Sequence, residues 1–273
     1  MDLVQAIILA LVQGFTEFLP VSSSAHLLLV PIFAAWEDQG LAFDVALHLG
    51  SLTAVIVYFR KDIGRMIVAW FASIGGGASS EDSRLAWAVI FATIPVCVAG
   101  LLLNDFLSNE MRSPQMSALI MAFGLIFFGL FLGWADWRKR GTRSEYQMNK
   151  WDIIVIGLSQ ALALIPGTSR SGITMTAALF MGFSREASAR FSFLLSIPVI
   201  ILAGGLKAFE LVSAQVAVDW TAMAVGTLVS GVSAYLCIHY FLVFINRIGM
   251  QPFVIYRIAL GVLLIVMYWN PGV

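Results

Sequence analysis

Six stretches of this chain are long enough to cross a hydrocarbon layer and carry at most one formal charge each. They are Leu41–Phe59, Leu85–Leu103, Pro114–Ala135, Ala187–Leu206, Trp220–Ile245 and Pro252–Trp269. About 20 apolar residues in a helix span a bilayer core, so each is read as a transmembrane helix. Composition agrees: 60% of the 273 residues are hydrophobic and 12% are charged, against roughly 25% charged in soluble domains. A soluble domain of this length cannot bury so much apolar surface, so most of it must face lipid. The net charge of zero argues against a nucleic-acid partner. The opening MDLVQAIILALVQGFTEFLP has neither a basic n-region nor a cleavage site, and is expected to belong to the mature chain.

Two further apolar blocks, Leu3–Pro31 and Trp151–Gly182, are interrupted half-way by proline and hydroxyl residues: LPVSSSAH in the first and IPGTSRSG in the second. Each half is short for a span. Such blocks suit re-entrant hairpins whose polar tips line a cavity inside the protein. If both are re-entrant, eleven basic residues collect on one side and only Arg112 and Lys207 on the other. If all eight blocks cross, the partition is ten to four. The positive-inside rule therefore favours hairpins, a basic cytoplasmic face and both termini outside.

An offset of 146 residues sets Leu19-Pro20 on Ile165-Pro166 and Ser22-Ser23 on Thr168-Ser169. A slightly larger one sets Phe43 and Leu47 on Phe191 and Leu195. Each half, 1–140 and 146–273, then holds one hairpin and three spans, and an odd span count inverts the second half. The expected fold is a single all-α polytopic membrane domain: six transmembrane helices plus two re-entrant helical hairpins in an inverted-topology repeat.

An ionised side chain within hydrocarbon is costly and marks function. Several candidates nevertheless have plain structural readings. Arg257, near the end of the last span, is read as snorkelling or supporting packing. Arg190 follows Glu186 by one turn and is read as its ion-pair partner. His48 and His239 are read as hydrogen-bonded packing residues, and the isolated Cys97 and Cys237 as small buried side chains.

Glu17 and Arg170 stand apart because each sits in a polar cluster. Gln13 precedes Glu17 on the same helix face, and Ser22, Ser23, Ser24 and His26 follow it. This cluster offers a hydroxyl nucleophile, a carboxylate and an imidazole. Arg170 lies among Pro166, Gly167, Thr168, Ser169, Ser171, Gly172 and Thr174. A glycine turn opening a helix presents free N–H groups to an anion, and Arg170 adds a fork suited to phosphate. Ser22 and Thr168 are the expected N-caps. Neither cluster is a complete site; joined, they are.

These segments carry a resemblance. QGFTEFLPVSSSAH, residues 13–26, resembles the glutamate-rich signature of the bacterial undecaprenyl pyrophosphate phosphatases, also known as bacitracin-resistance proteins. PGTSRSGIT, residues 166–174, looks like that family's second signature. The likeness extends to FDVALHLGSLTAV (43–55) and QPFVIYR (251–257). Position 13 is Glu or Gln in the family, so Glu17 is expected to be the essential carboxylate.

The resemblance implies hydrolysis of undecaprenyl pyrophosphate to undecaprenyl phosphate and inorganic phosphate, recycling the lipid carrier of peptidoglycan and conferring bacitracin resistance. It implies a bacterial inner-membrane location and a divalent cation, Mg2+ or Ca2+, for which Glu17 and Gln13 are the expected ligands. Glu17, Ser23, His26 and Arg170 are the expected catalytic residues. Gln13, Ser22, Gly167, Thr168, Ser169, Ser171 and Thr174 are the expected substrate contacts. Either Ser23 attacks phosphorus with help from Glu17 or His26, or His26 attacks and Ser23 is a ligand. The rival class is a secondary transporter or lipid flippase built on the same inverted repeat. Gly124, Gly129 and Gly133 fit close helix packing, within one chain or in a homodimer.

Overall fold

The computed structural model describes residues 2–110, 114–138, 141–214 and 219–269, and every regular element among them is helical. Arg112, Lys139 and Arg140, used in the charge count, lie outside the described residues.

The first broken block forms α1 (Leu3–Thr16) and α2 (Ser23–Ala34). The Asp2 carboxylate accepts from the Gln5 N–H, and the Gln5 side chain returns to the Asp2 N–H, fixing the start of α1. Pro20, which cannot donate to a helix ladder, lies in the turn that follows. Then come α3 (Gly40–Tyr58), α4 (Arg60–Ile74), α5 (Glu81–Glu110) and α6 (Pro114–Trp137). The second broken block gives α7 (Lys150–Ala161), a 3-10 turn at Leu162–Leu164 and α8 (Arg170–Phe180). The chain continues through α9 (Arg185–Ala214), α10 (Trp220–Ile248) and α11 (Gln251–Tyr268).

Six helices are long and apolar enough to cross a membrane, and they coincide with the six expected spans apart from a few residues at their ends. Large apolar side chains stand exposed along them, among them Leu228, Ile255 and Val266. Together these mark a multi-pass membrane protein.

Packing sets the broken blocks against the long helices. Helix α1 lies on α10 and α7 lies on α5, while α3 packs against both α9 and α10. Helix α6 pairs with α11 along its length, and α8 rests against α6 and α9. Gly129 faces the Arg257 side chain, and Gly133 faces Val254, both on α11. These glycines therefore serve packing within the chain.

Two readings need correction. The stretch after α3, taken as a basic loop, contains α4, whose Ile67, Val68, Phe71 and Ile74 are exposed beside Arg60, Lys61 and Arg65. Arg190 does not pair with Glu186. Its guanidinium goes to Glu145 and Asp62, and Glu186 accepts instead from the Asn246 amide at 3.2 Å. The long-range carboxylates surround the guanidinium better than a neighbour one turn away.

Candidate active site

The two polar turns meet. Glu17 caps the end of α1, and Ser23 opens α2. Ser23 donates its Oγ–H to Glu17 Oε2 at 2.7 Å, and Gln13 Nε2 reaches the same oxygen at 3.1 Å. The other carboxylate oxygen accepts from Arg170 Nη2, also at 3.1 Å, across 153 residues of sequence. Arg170 Nη1 is held by the Ser192 carbonyl of α9 at 3.0 Å. The side chains of Glu17 and Arg170 are only 9% and 12% exposed, where an ion pair is little screened by solvent.

Two further links hold the turns together. Ser171 Oγ donates to the Leu19 carbonyl at 2.8 Å. Arg257, wholly buried, spreads its guanidinium over five backbone carbonyls. Nη1 reaches Pro20 of the first turn; Nη2 reaches Gly167 and Thr168 of the second together with Gly124 of α6; Nε reaches Leu125. Among the described residues no carboxylate pairs with it. The expectation of snorkelling fails because the side chain turns inward; the packing half of that reading holds, with more at stake than packing.

The backbone at the turns is unusual. Ser22 and Ser169 both adopt positive φ, 73° and 68°, a region costly for residues with a Cβ. Gly167, at φ 82°, lies so close to α6 that a Cβ there would sit 2.1 Å from the Met121 carbonyl oxygen. Ser169 caps α8, its Oγ accepting from the Gly172 N–H at 3.2 Å. The expected cap, Thr168, is instead fully buried, its hydroxyl without a hydrogen-bond partner among the described residues. Ser22 occupies the cap position of α2, but its hydroxyl bonds to Ser24 rather than to the helix. Thr174 Oγ1 spends itself on α8 carbonyls and the Ser192 hydroxyl.

A cavity of about 250 Å³ opens onto this cluster. Glu17, Ser22, Ser23, Ser24, Gly167, Ser169 and Arg170 line its polar end, with His48 of α3 beside them. Val45, Val96, Leu164, Val199 and Ile200 form an apolar wall, and Lys207 stands on the lining at the far end of α9. His26 is not on this lining. Its Nδ1 donates to the Ser22 carbonyl at 2.7 Å, leaving Nε2 to accept from the Tyr256 hydroxyl at 2.6 Å, with the two rings stacked. A hydroxyl bonded to a carboxylate, beside a guanidinium and a glycine turn, can serve as nucleophile, base and charge clamp at one phosphorus.

Comparison with known proteins agrees with the geometry. The profile of the family described as Bacitracin resistance protein BacA matches residues 6–263. The chain belongs to this family. It is 58% identical over 271 residues to "Undecaprenyl-diphosphatase 2" of Stutzerimonas stutzeri, covering 98% of this chain and 99% of that one. It is 56% identical to "Undecaprenyl-diphosphatase" of Hahella chejuensis (97% and 98% covered). A third relative of that name, from Nitrosococcus oceani, is 54% identical (98% and 100% covered).

Two residues of this BacA-family chain were read from sequence as structural only, and a third, Ser192, was not singled out. His48 Nδ1 donates to the Asp44 carbonyl at 2.8 Å, which turns Nε2 toward Glu17 Oε2 at 3.9 Å; a lone histidine on an apolar helix gave no sign of that direction. Ser192 is one serine among several on α9. Arg257 did carry a signal, since α11 has no acidic residue with which to pair it.

Proposed function

We propose that this chain hydrolyses undecaprenyl diphosphate to undecaprenyl phosphate and inorganic phosphate, returning the lipid carrier to cell-envelope synthesis and so countering bacitracin. The single observation that carries the reading is the Ser23–Glu17–Arg170 constellation, a nucleophile bonded to a base and a base bonded to a charge clamp. The names of the relatives supply the substrate.

The diphosphate enters the polar end of the cavity and its terminal phosphoryl oxygens take up Arg170 and the N–H groups of the Gly167 turn. Ser23 Oγ attacks the terminal phosphorus as its proton passes to Glu17. The bond to the bridging oxygen breaks, and undecaprenyl phosphate leaves. The leaving phosphate takes the proton that Glu17 had accepted, which returns the carboxylate to its ionised form. Water then attacks the phosphoserine phosphorus and gives a proton to Glu17; the P–Oγ bond breaks, Ser23 Oγ takes that proton back, and inorganic phosphate leaves. Arg170 and the backbone dipoles offset the charge that develops on phosphorus. His26 supports this chemistry from behind, by holding the carbonyl of the strained Ser22. Ser23 is preferred to His26 as nucleophile because Ser23 lines the cavity and His26 does not.

A divalent cation fits this donor set in one manner. Among the described residues, Glu17 is the only carboxylate on the cavity lining, and Gln13 Oε1 is buried without a hydrogen-bond partner. Among the described residues no cluster of three acidic, histidine or cysteine side chains makes a closed cage. That pattern matches Mg2+, which takes one or two protein oxygens and completes its shell with phosphate and water. Glu17 and Gln13 would hold it, and the ion would neutralise diphosphate charge.

The inverted repeat and re-entrant hairpins belong to the same reading. Helix α1 on α10 mirrors α7 on α5, and the self-paired contacts α3–α9 and α6–α11 sit where a pseudo-twofold axis would pass. With basic loops cytoplasmic, the Lys207 end of the cavity opens outward.

The test is phosphate release from C15 and C55 diphosphates by purified protein, with and without chelator. Wild type is expected to be active, and Glu17→Gln, Ser23→Ala and Arg170→Ala to be nearly inert. Full activity of Arg170→Ala would overturn the site. A 32P-labelled enzyme intermediate that survives Ser23→Ala would overturn the serine mechanism.

A further inference from the structure

The reactive cavity accounts for the diphosphate and for only the first part of a long prenyl chain. A second cavity of about 210 Å³ lies in the groove that α4 forms with α5 and α9, and its lining is entirely apolar. The same two helices, α5 and α9, wall both cavities. On α5, Val96 borders the reactive cavity and Val89 borders the groove; seven residues apart, they share one stripe of the helix. On α9, Ile200 and Ile197 do the same one turn apart. Thr93, between the two valines, gives its hydroxyl to the Val89 carbonyl at 2.8 Å, so this stripe presents carbon throughout.

We infer that the groove between α4, α5 and α9 receives the distal isoprene units of the lipid substrate. The inference rests on the function proposed above and adds the place of the chain. The shared α5 and α9 walls select the substrate's own chain over an unrelated lipid. The exposed apolar side of α4, with Ile67 at 51%, keeps the groove laterally open, so a chain enters from the bilayer rather than by threading.

The groove is tested by blocking it and by labelling it. Ala86, buried on its α5 wall, is the position to fill. In Ala86→Trp the ratio of kcat/KM for C55 diphosphate over C15 diphosphate is expected to fall about tenfold, the loss of roughly two buried methylene-sized contacts, part of one isoprene unit. Leu228→Trp, on the lipid-facing side of α10, should leave that ratio unchanged. An unchanged ratio in Ala86→Trp would overturn the inference. The second measurement needs no substitution: a C55-length prenyl diphosphate carrying a diazirine at its far end is photolysed with wild-type protein. Crosslinks confined to α4, α5 and α9 support the groove. Crosslinks on α10 or α11, or equal labelling of the groove by a diazirine phosphatidylcholine with saturated chains, overturn it. Crosslinks in the groove without phosphate release from either substrate would sink the hydrolytic reading and leave the prenyl site standing.

Discussion

The two polar turns are built alike and equipped differently. Both follow a proline, both place a serine at positive φ, and both open a short helix. In the second turn the hydroxyls are spent on structure: Ser169 caps α8, Ser171 ties down the Leu19 carbonyl, and Thr174 bonds within its own helix and to Ser192. In the first turn Ser23 is bonded to a carboxylate and faces the cavity. A serine in a polar turn is thus no evidence of reactivity. What distinguishes Ser23 is a base within hydrogen-bond distance.

This contrast can be broken by experiment, the largest effect first. Ser23→Ala should lower kcat for phosphate release about 1000-fold or more, as loss of a nucleophile does. If Ser169→Ala costs as much, the division of labour is wrong. Arg170→Lys keeps the charge but loses the fork, and a fall of about 100-fold in kcat/KM is expected; an unchanged value would reduce the second turn to a scaffold. Arg257→Met should act on both turns together. It strands five buried carbonyls, so a loss of roughly 3 kcal/mol in unfolding free energy is expected, read as an earlier melting transition in detergent. Ser169→Ala comes last, with loss of one cap, about 1 kcal/mol, and activity within a fewfold of wild type.

Much of this was legible before any coordinates, for a physical reason. In lipid an unpaired charge is so unfavourable that polar residues amid apolar blocks stand out, and the six spans and both turns follow from that contrast. What stayed hidden depends on direction rather than composition. On paper His26 stands in a polar cluster and His48 alone on an apolar helix; their backbone acceptors, the Ser22 and Asp44 carbonyls, turn the first ring onto Tyr256 and the second toward Glu17. Arg257 looked peripheral because it stands near one end of the last span, whereas its side chain turns inward onto backbone carbonyls. Arg190 found its acids 45 and 128 residues away rather than one turn away. Helix α4 was missed because charges and apolar residues mix along it, a pattern that suits a helix lying at an interface better than one crossing it.

The serines at positions 22 and 169 have one more consequence. Glycine accepts their backbone angles freely, and a left-handed conformation costs a residue with a side chain about 1–2 kcal/mol. The folded protein is therefore less stable than a close variant of its own sequence, and the deficit sits at the rim of the reactive cavity. Engineering for thermal tolerance would reach for these two positions early. At Ser169 it would give up a helix cap, and at Ser22 a hydroxyl on the rim of the reactive cavity, so robustness and turnover pull in opposite directions at Ser22.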